Sequence, residues 1–143
     1  MAAKQQKVRI EIPEGFSPAE RQEIGEAIIQ FIKDRCDAGF GVRPHGRGFR
    51  TYAFPEYTEE YAKKKGSRRV DLVLNDEMLN AMEILSTSRD SITIGYEAGT
   101  EENAKAEGNQ IGSYGRAPNP AKARRFLGLT REEKEAILAG FKE

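Results

Sequence analysis

Residues 7–32, KVRIEIPEGFSPAERQEIGEAIIQFI, join the pattern of a β-strand directly to the pattern of an α-helix. In the first part Val8, Ile10 and Ile12 alternate with charged residues, so that they share one face of an extended chain. Such alternation is typical of a strand that buries one face only. Pro13 and Gly15 follow and end the predicted strand.

A well-marked helix start comes next. Ser17 takes the N-cap position, Pro18 the first helical position, and Glu20 stands three residues after the cap, where its side chain closes a capping box. Apolar residues then recur at helical spacing, at Ile24, Ala27, Ile28, Phe31 and Ile32. We expect this helix to be the longest of the chain, to bury one face and to end near residue 35.

Shorter elements complete the predicted fold. The sequence favours helices over 58–66 and 75–82, and antiparallel strands over 83–87 and 91–96. It further favours a helix from residue 100 to 108 or 112, a strand over 124–129 and a terminal helix capped by Thr130. We therefore predict one domain spanning residues 1–143 that contains both helices and antiparallel strands.

Residues 37–57, DAGFGVRPHGRGFRTYAFPEY, lack a regular pattern and are predicted to form a long loop or arm. Their aromatic content argues against a solvated spacer, because such a linker has no use for large apolar rings. Two interpretations stay open. The segment either folds over the core of its own chain or becomes ordered against a neighbouring subunit.

The composition bounds the class of protein. The chain has 143 residues, of which 38% are hydrophobic and 32% charged, so that we expect a modest core and a heavily ionised surface. Its 23 basic and 23 acidic residues cancel, whereas a strongly basic total would favour nucleic-acid binding. The basic and acidic residues are nevertheless concentrated in separate segments of the chain. Cationic blocks lie at residues 63–69 and 116–125, and an acidic stretch at 97–107. These blocks are either solvated faces or patches that match when copies meet head to tail.

The sequence offers little chemistry. Cys36 is the only cysteine, which excludes an intrachain disulfide and favours a reducing compartment. A single cysteine of this kind is most often a small buried hydrophobic residue. His45 is the only histidine and has no evident orienting partner. We therefore expect no enzyme activity, no metal site and no cofactor. No apolar run has the length of a signal peptide or membrane span, so we expect no membrane partner.

Arginines and aromatic residues interleave in the predicted arm, as they do on surfaces that stack nucleic-acid bases. The alternative interpretation is therefore a nucleic-acid-binding accessory protein. The candidate contact residues of the arm are Arg43, Arg47, Phe49, Arg50, Tyr52 and Phe54. The candidates elsewhere in the chain are Lys64, Arg68, Arg69, Glu101, Glu102, Arg116, Arg124 and Arg125.

Three segments in order carry a resemblance to a known family. They are the cationic helix from Tyr57 to Lys64, the stretch from Val70 to Leu79, and a turn at Gly112 that leads to Arg125-Phe126-Leu127-Gly128-Leu129. With the Thr-capped terminal helix after them, the chain resembles the bacteriophage neck and tail-completion family, also called virion morphogenesis proteins. The likeness covers roughly the last two-thirds of the chain. It departs at 75–76, where members often carry Thr-Gly, and at 109–110, where they often carry a histidine or an aromatic residue. The role as neck ring or tail terminator therefore stays open.

The resemblance implies an α+β fold, in which a small antiparallel sheet is flanked by helices. It further implies a structural virion protein without enzymatic activity, made in the host bacterial cytoplasm. It implies a ring of identical subunits, six-fold or twelve-fold, between the head-closure or connector proteins and the tail tube. A ring around the DNA passage would also make weak, sequence-independent contact with DNA. Because ordering an arm costs about 1 kcal/mol or more per residue, we expect the isolated protein to be mainly monomeric and to assemble on its partners.

Overall fold

The computed structural model describes residues 4–54, 76–111 and 123–141, and over these residues the chain has an α+β fold. The strands are β1 (Lys7–Glu11), β2 (Phe40–His45), β3 (Gly48–Ala53), β4 (Glu83–Ser88) and β5 (Ser91–Gly95). The helices are α1 (Pro18–Asp37), α2 (Asp76–Asn80), α3 (Glu101–Ile111) and α4 (Arg131–Ala139). The predicted helix at 58–66, the stretch from Val70 to Asn75 and the Gly112 turn lie outside the described residues.

The larger sheet has three antiparallel strands in the order β1-β5-β4. Its central strand β5 is largely buried. Ile92 and Ile94 are fully buried on one face, and on the other face Ser91 is 6% exposed and Thr93 is half-buried. The predicted strands at 7–12, 83–87 and 91–96 are confirmed, and β4 contains a register shift between Ile84 and Ser86. Bulges of this kind interrupt the ladder of an edge strand and so discourage pairing with other chains.

Helix α1 covers the sheet, and its capping box is present as predicted. The backbone N–H of Glu20 donates to the Ser17 hydroxyl (3.1 Å), while the N–H of Ser17 donates to the Glu20 carboxylate (2.9 Å). The apolar face of the helix is fully buried, at Ile24, Ile28, Ile32 and Cys36. The helix continues to Asp37, two residues past the expected end.

The segment before β1 is held by a side chain that imitates a neighbouring strand. The buried amide of Asn103 on α3 accepts a hydrogen bond from the N–H of Gln6 (2.8 Å) and donates one to the carbonyl of Lys4 (3.2 Å). Such reciprocal pairing satisfies the backbone of a strand end that would otherwise lose its partners. It also ties α3 to the three-stranded sheet.

Two predictions about regular structure are wrong. Residues 40–53 form the antiparallel hairpin β2–β3, where the sequence predicted an irregular loop over 37–57. The prediction failed because three glycines and a proline lie within the strands and the turn, where they obscure the alternation. Residues 124–129 were predicted to form a strand but are an irregular segment outside both sheets, because side chains supply most of their hydrogen bonds.

Candidate functional site

The β2–β3 hairpin projects the largest group of exposed arginines among the described residues. Its strands are joined by Gly46 and Arg47, and Gly46 has a φ of +60°, the left-handed conformation that hairpin turns require and glycine adopts without strain. The register places Arg43 directly opposite Arg50. Both side chains are exposed, as is Arg47 in the turn.

This arrangement of charge is unfavourable for the isolated hairpin. Like charges directly opposite each other on adjacent strands are destabilising. None of the ion pairs within the described residues involves Arg43, Arg47 or Arg50. The guanidinium of Arg43 lies over the ring of Tyr52, 5.2 Å from its centroid, which offsets the cost in part. The hairpin therefore offers positive charge that its own fold leaves unneutralised.

The base of the hairpin is anchored to the segment that follows residue 122. The Tyr52 hydroxyl donates to the carbonyl of Ala123 (2.9 Å) and accepts from the N–H of Arg125 (2.7 Å). The N–H of Val42 donates to the carbonyl of Arg125 (2.9 Å) along the free edge of β2. These bonds fix the direction in which the arginines project.

The described aromatic residues of the predicted arm differ in burial: Phe54 is buried, Phe49 and Tyr52 are half-buried, and Phe40 is exposed. Phe54 is 5% exposed and packs edge-to-face against Tyr52, with ring centroids 5.8 Å apart. Phe49 is half-buried beside Gly128. Of the six candidate contact residues in this segment, the arginines are thus on the surface, Phe54 is a core residue, and Tyr52 and Phe49 are half-buried. The hairpin folds over its own core, which is one of the two interpretations left open by the sequence.

An open groove of about 670 Å³ runs beside the hairpin tip. Its walls are β1, the tip of the hairpin and the first turn of α4. The charged residues that line it are Arg9, Glu11, Arg47, Arg131, Glu132 and Lys134. Cations outnumber carboxylates along this lining, so the groove extends the positive character of the hairpin.

The acidic candidates lie on a different element. Glu101 and Glu102 occupy the first turn of α3, where the positive end of the helix dipole favours them. Glu101 is exposed and forms an i,i+4 ion pair with Lys105 (3.6 Å), and Glu102 is half-buried. Exposed pairs of this type contribute little, so Glu101 stays accessible to a partner. The structure does not bring these residues together with the hairpin arginines in any described contact.

Of the cationic candidates near the C-terminus, Arg124 and Arg125 are half-buried, and the N–H of Arg124 donates to the carbonyl of Asn109 (2.6 Å). Their backbone holds the hairpin, which gives this pair a structural role in addition to any contact role. Lys64, Arg68, Arg69 and Arg116 lie outside the described residues.

The sequence did not predict the buried ion pair between Arg35 and Glu133. Arg35, 7% exposed, donates to the Glu133 carboxylate (2.8 Å) and to the carbonyls of Phe126 (2.7 Å) and Gly128 (3.0 Å). Burial lowers the pKa of the Arg35 guanidinium, while the charge of Glu133 acts in the opposite direction. The only signal in the sequence was that Arg35 continues the buried stripe three residues after Ile32.

Cys36, His45 and Tyr96 are poorly placed to act as catalytic groups. Burial raises the pKa of the Cys36 thiol to about 12, which keeps it protonated and a weak nucleophile. His45 is exposed at the end of β2. Burial likewise raises the pKa of Tyr96, whose hydroxyl has no hydrogen-bond partner among the described residues.

Within residues 4–54, 76–111 and 123–141, no three His, Cys, Asp or Glu side chains are grouped so as to hold a metal ion. No helix in the same ranges is long and apolar enough to cross a membrane. A comparison with protein-family models, with curated proteins and with solved structures finds no match to this chain.

Proposed function

We propose that this protein is a structural component of the head–tail joining region of a bacteriophage virion. It assembles there as a ring of identical subunits between the connector and the tail tube. The observation that carries the proposal is the unneutralised arginine hairpin, held rigidly on the segment Arg125-Phe126-Leu127-Gly128-Leu129 through which the chain resembles neck and tail-completion proteins.

The buried role of that segment supports the resemblance. Phe126 is fully buried and Leu127 is 4% exposed, so the apolar positions of the segment are core positions. The carbonyls of Phe126 and Gly128 accept from Arg35, and the N–H groups of Phe126 and Leu127 donate to the Gln110 side chain (2.6 and 3.1 Å). The apolar residues of the segment thus belong to the core, and its backbone in turn positions the hairpin.

Surfaces of opposite sign support the ring. The hairpin and its adjoining groove are positive, whereas the first turn of α3 carries Glu101 and Glu102. When a patch on one copy fits a different patch on the next, the contact is heterologous, and it closes into a ring if the rotation between copies permits. Connector and tail proteins then bind the two ends of the ring, with DNA passing through it.

The test is deletion of the gene from the phage or prophage that encodes it. We expect electron micrographs to show DNA-filled heads and separate tails, and mass spectrometry to find the protein in purified wild-type virions. Complementation with the wild-type gene should restore joined particles. Normal, infectious particles from the deletion strain would overturn the proposal.

A nucleic-acid-binding accessory protein is the second candidate, which the exposed and unpaired arginines of the hairpin favour. The same experiment separates the two functions. An accessory protein acts in the cell and is absent from purified virions, whereas a joining protein is present in a fixed number of copies per particle.

A further inference from the structure

We infer that the Arg43–Arg50 pair, with Arg47 at the turn, is a contact surface for the phosphate backbone of duplex DNA. The inference rests on the proposed function for its place in the virion, but its chemistry is a property of the single chain. Three features of the hairpin support it: its charge, its shape and the side chains that it lacks.

The charge comes from one short segment. Residues 38–55 include Arg43, Arg47 and Arg50 and contain no aspartate or glutamate. Paired residues on adjacent antiparallel strands lie about 5 Å apart at Cα, so Arg43 and Arg50 leave the hairpin at directly opposed positions. Like charges in such positions cost folding free energy, and a polyanion reduces that cost. Guanidinium groups also match the geometry of phosphate oxygens and bind them in a bidentate manner.

The shape of the hairpin tip allows close approach to nucleic acid. The tip is narrow, and a side chain at Gly46 or Gly48 would meet no atom within 4 Å, so the backbone there can approach a ligand closely. A two-stranded ribbon fits the major groove of B-DNA, which is about 12 Å wide.

The residue types that the hairpin lacks indicate how it contacts DNA. Bases are read by Asn, Gln, Asp and Glu as well as by Arg, and residues 38–55 contain none of those four types. Contacts by arginine to phosphate position a duplex without reading its sequence. The hairpin therefore holds DNA weakly and without sequence preference, which suits a duplex that must slide past it.

The experiment measures binding of the purified chain to a 30-base-pair duplex of random sequence, by fluorescence anisotropy from 50 to 200 mM salt. Non-specific binding is expected with Kd of about 10⁻⁴ to 10⁻⁶ M near physiological salt, with log K falling linearly against log salt concentration. In the double variant Arg43→Ala/Arg50→Ala, the slope should fall by about 1.8, because each phosphate contact contributes about 0.9. Affinity at 0.1 M salt should fall at least about tenfold.

The control is Lys7→Ala/Arg89→Ala, which removes the same charge from exposed positions on β1 and in the turn between β4 and β5, where Arg89 pairs with Glu14 (3.3 Å). It should keep the wild-type slope, and circular dichroism should show that both variants are folded. Equal slopes for the two double variants would overturn the assignment, as would absence of binding at 50 mM salt or tighter binding to a single strand of the same length. Failure here leaves the protein's presence in virions untouched, so the two proposals fail independently.

Discussion

At the scale of single residues, Arg35 decides how the C-terminal part of the chain is attached. Its side chain connects α1 with the carbonyls of Phe126 and Gly128 and with Glu133 on α4. The same carboxylate oxygen of Glu133 accepts from the N–H of Thr130 (2.8 Å), so the ion pair and the capping box of α4 share one acceptor. Replacement of this buried cation leaves several hydrogen-bond acceptors unpaired at once, so we expect a large effect on the free energy of unfolding.

We predict that Arg35→Ala lowers the free energy of unfolding by about 3 to 5 kcal/mol, the cost of breaking a buried pair by removing one partner. Arg35→Lys should recover only part of this, because one ammonium group cannot bind acceptors on both sides as a guanidinium does. Urea denaturation of both variants measures the effect. The exposed pair Arg131–Glu135 is the control, and Arg131→Ala should cost less than about 1 kcal/mol. Equal losses for Arg35→Ala and Arg131→Ala would contradict the structural role of Arg35.

Cys36 makes stability depend on pH in the alkaline range. Burial raises the pKa of its thiol to about 12 in the folded chain, whereas an unfolded cysteine has a pKa of about 8.5. The folded state therefore holds the proton more tightly. The resulting stabilisation is fully present below pH of about 8.5 and is lost as pH rises toward 12.

Accordingly, the stability of the wild type relative to Cys36→Ala should fall between pH of about 8.5 and 12, by at most about 1.4 kcal/mol per pH unit. Parallel urea titrations of the two proteins provide the measurement. Burial raises the pKa of Tyr96 in both proteins, whereas the further rise caused by the charge of Cys36 is present in the wild type only and adds to the difference. In a second assay, an aromatic disulfide reagent at pH 8 should label Cys36 only after urea unfolds the chain. Rapid labelling of the native protein would show that the thiol is exposed and ionised.

At the scale of elements, the sequence predicted those with a clear period or cap. The alternation of Val8, Ile10 and Ile12 predicted β1, and the boxes at Ser17 and Thr130 predicted the starts of α1 and α4, because these signals are local. The hairpin was missed because its pairing depends on tertiary contacts. Gly41, for example, interrupts the strand pattern, yet it is required where β2 passes the carbonyl of Arg125.

The exposed arginines of the candidate surface could be identified from the sequence, since charged residues beside glycines are seldom buried. Their direct opposition could not, because it needs the register of β2 and β3. The sequence also did not predict the core position of Phe54 or the ion pair of Arg35 with Glu133. Both depend on contacts between segments far apart in the chain.

Two glycines of the hairpin test its docking. A methyl group at Gly41 would overlap the backbone carbonyl of Arg125 and the Phe54 ring, whereas one at Gly48 would meet no atom within 4 Å. We expect Gly41→Ala to lower the free energy of unfolding by about 1 to 3 kcal/mol, as overpacking does. Gly48→Ala should change it by less than about 1 kcal/mol, since the position is open and φ there is not positive. Thermal denaturation of both variants compares them. If Gly48→Ala lowers the free energy of unfolding more than Gly41→Ala does, the hairpin does not pack against Arg125 and Phe54 as described.

At the scale of the whole molecule, we expect the protein to stay monomeric until its partners are present. Among the described residues, Phe40 is the only exposed large hydrophobic side chain, at 43%. Stable oligomers usually bury an extended apolar patch, which this surface does not show. The hairpin is already ordered on its own chain, so the expected monomer follows from the charged surface and not from the cost of ordering an arm.

Light scattering at micromolar concentration should therefore give a mass of about 16.0 kDa for the purified chain. A ring should form only when connector or tail proteins are added, because charged contacts alone contribute little in solution. Raising the salt concentration should weaken assembly, since screening shortens the range of these contacts. A stable ring without partners would contradict this expectation.

Two substitutions on β3 separate the role of the surface from the stability of the fold. Arg50→Ala relieves the repulsion from Arg43, so we expect the free energy of unfolding to stay within about 0.5 kcal/mol of wild type while head–tail joining fails in a complementation assay. Phe49→Ala removes a half-buried ring beside Gly128, and it should lower the free energy of unfolding by about 1 to 2 kcal/mol. Lys7→Ala, an exposed cation on the other sheet, is the control that should support joining at wild-type titre. If Arg50→Ala also yields wild-type titres, the arginine pair is not part of the joining surface, because nothing else about the chain would have changed.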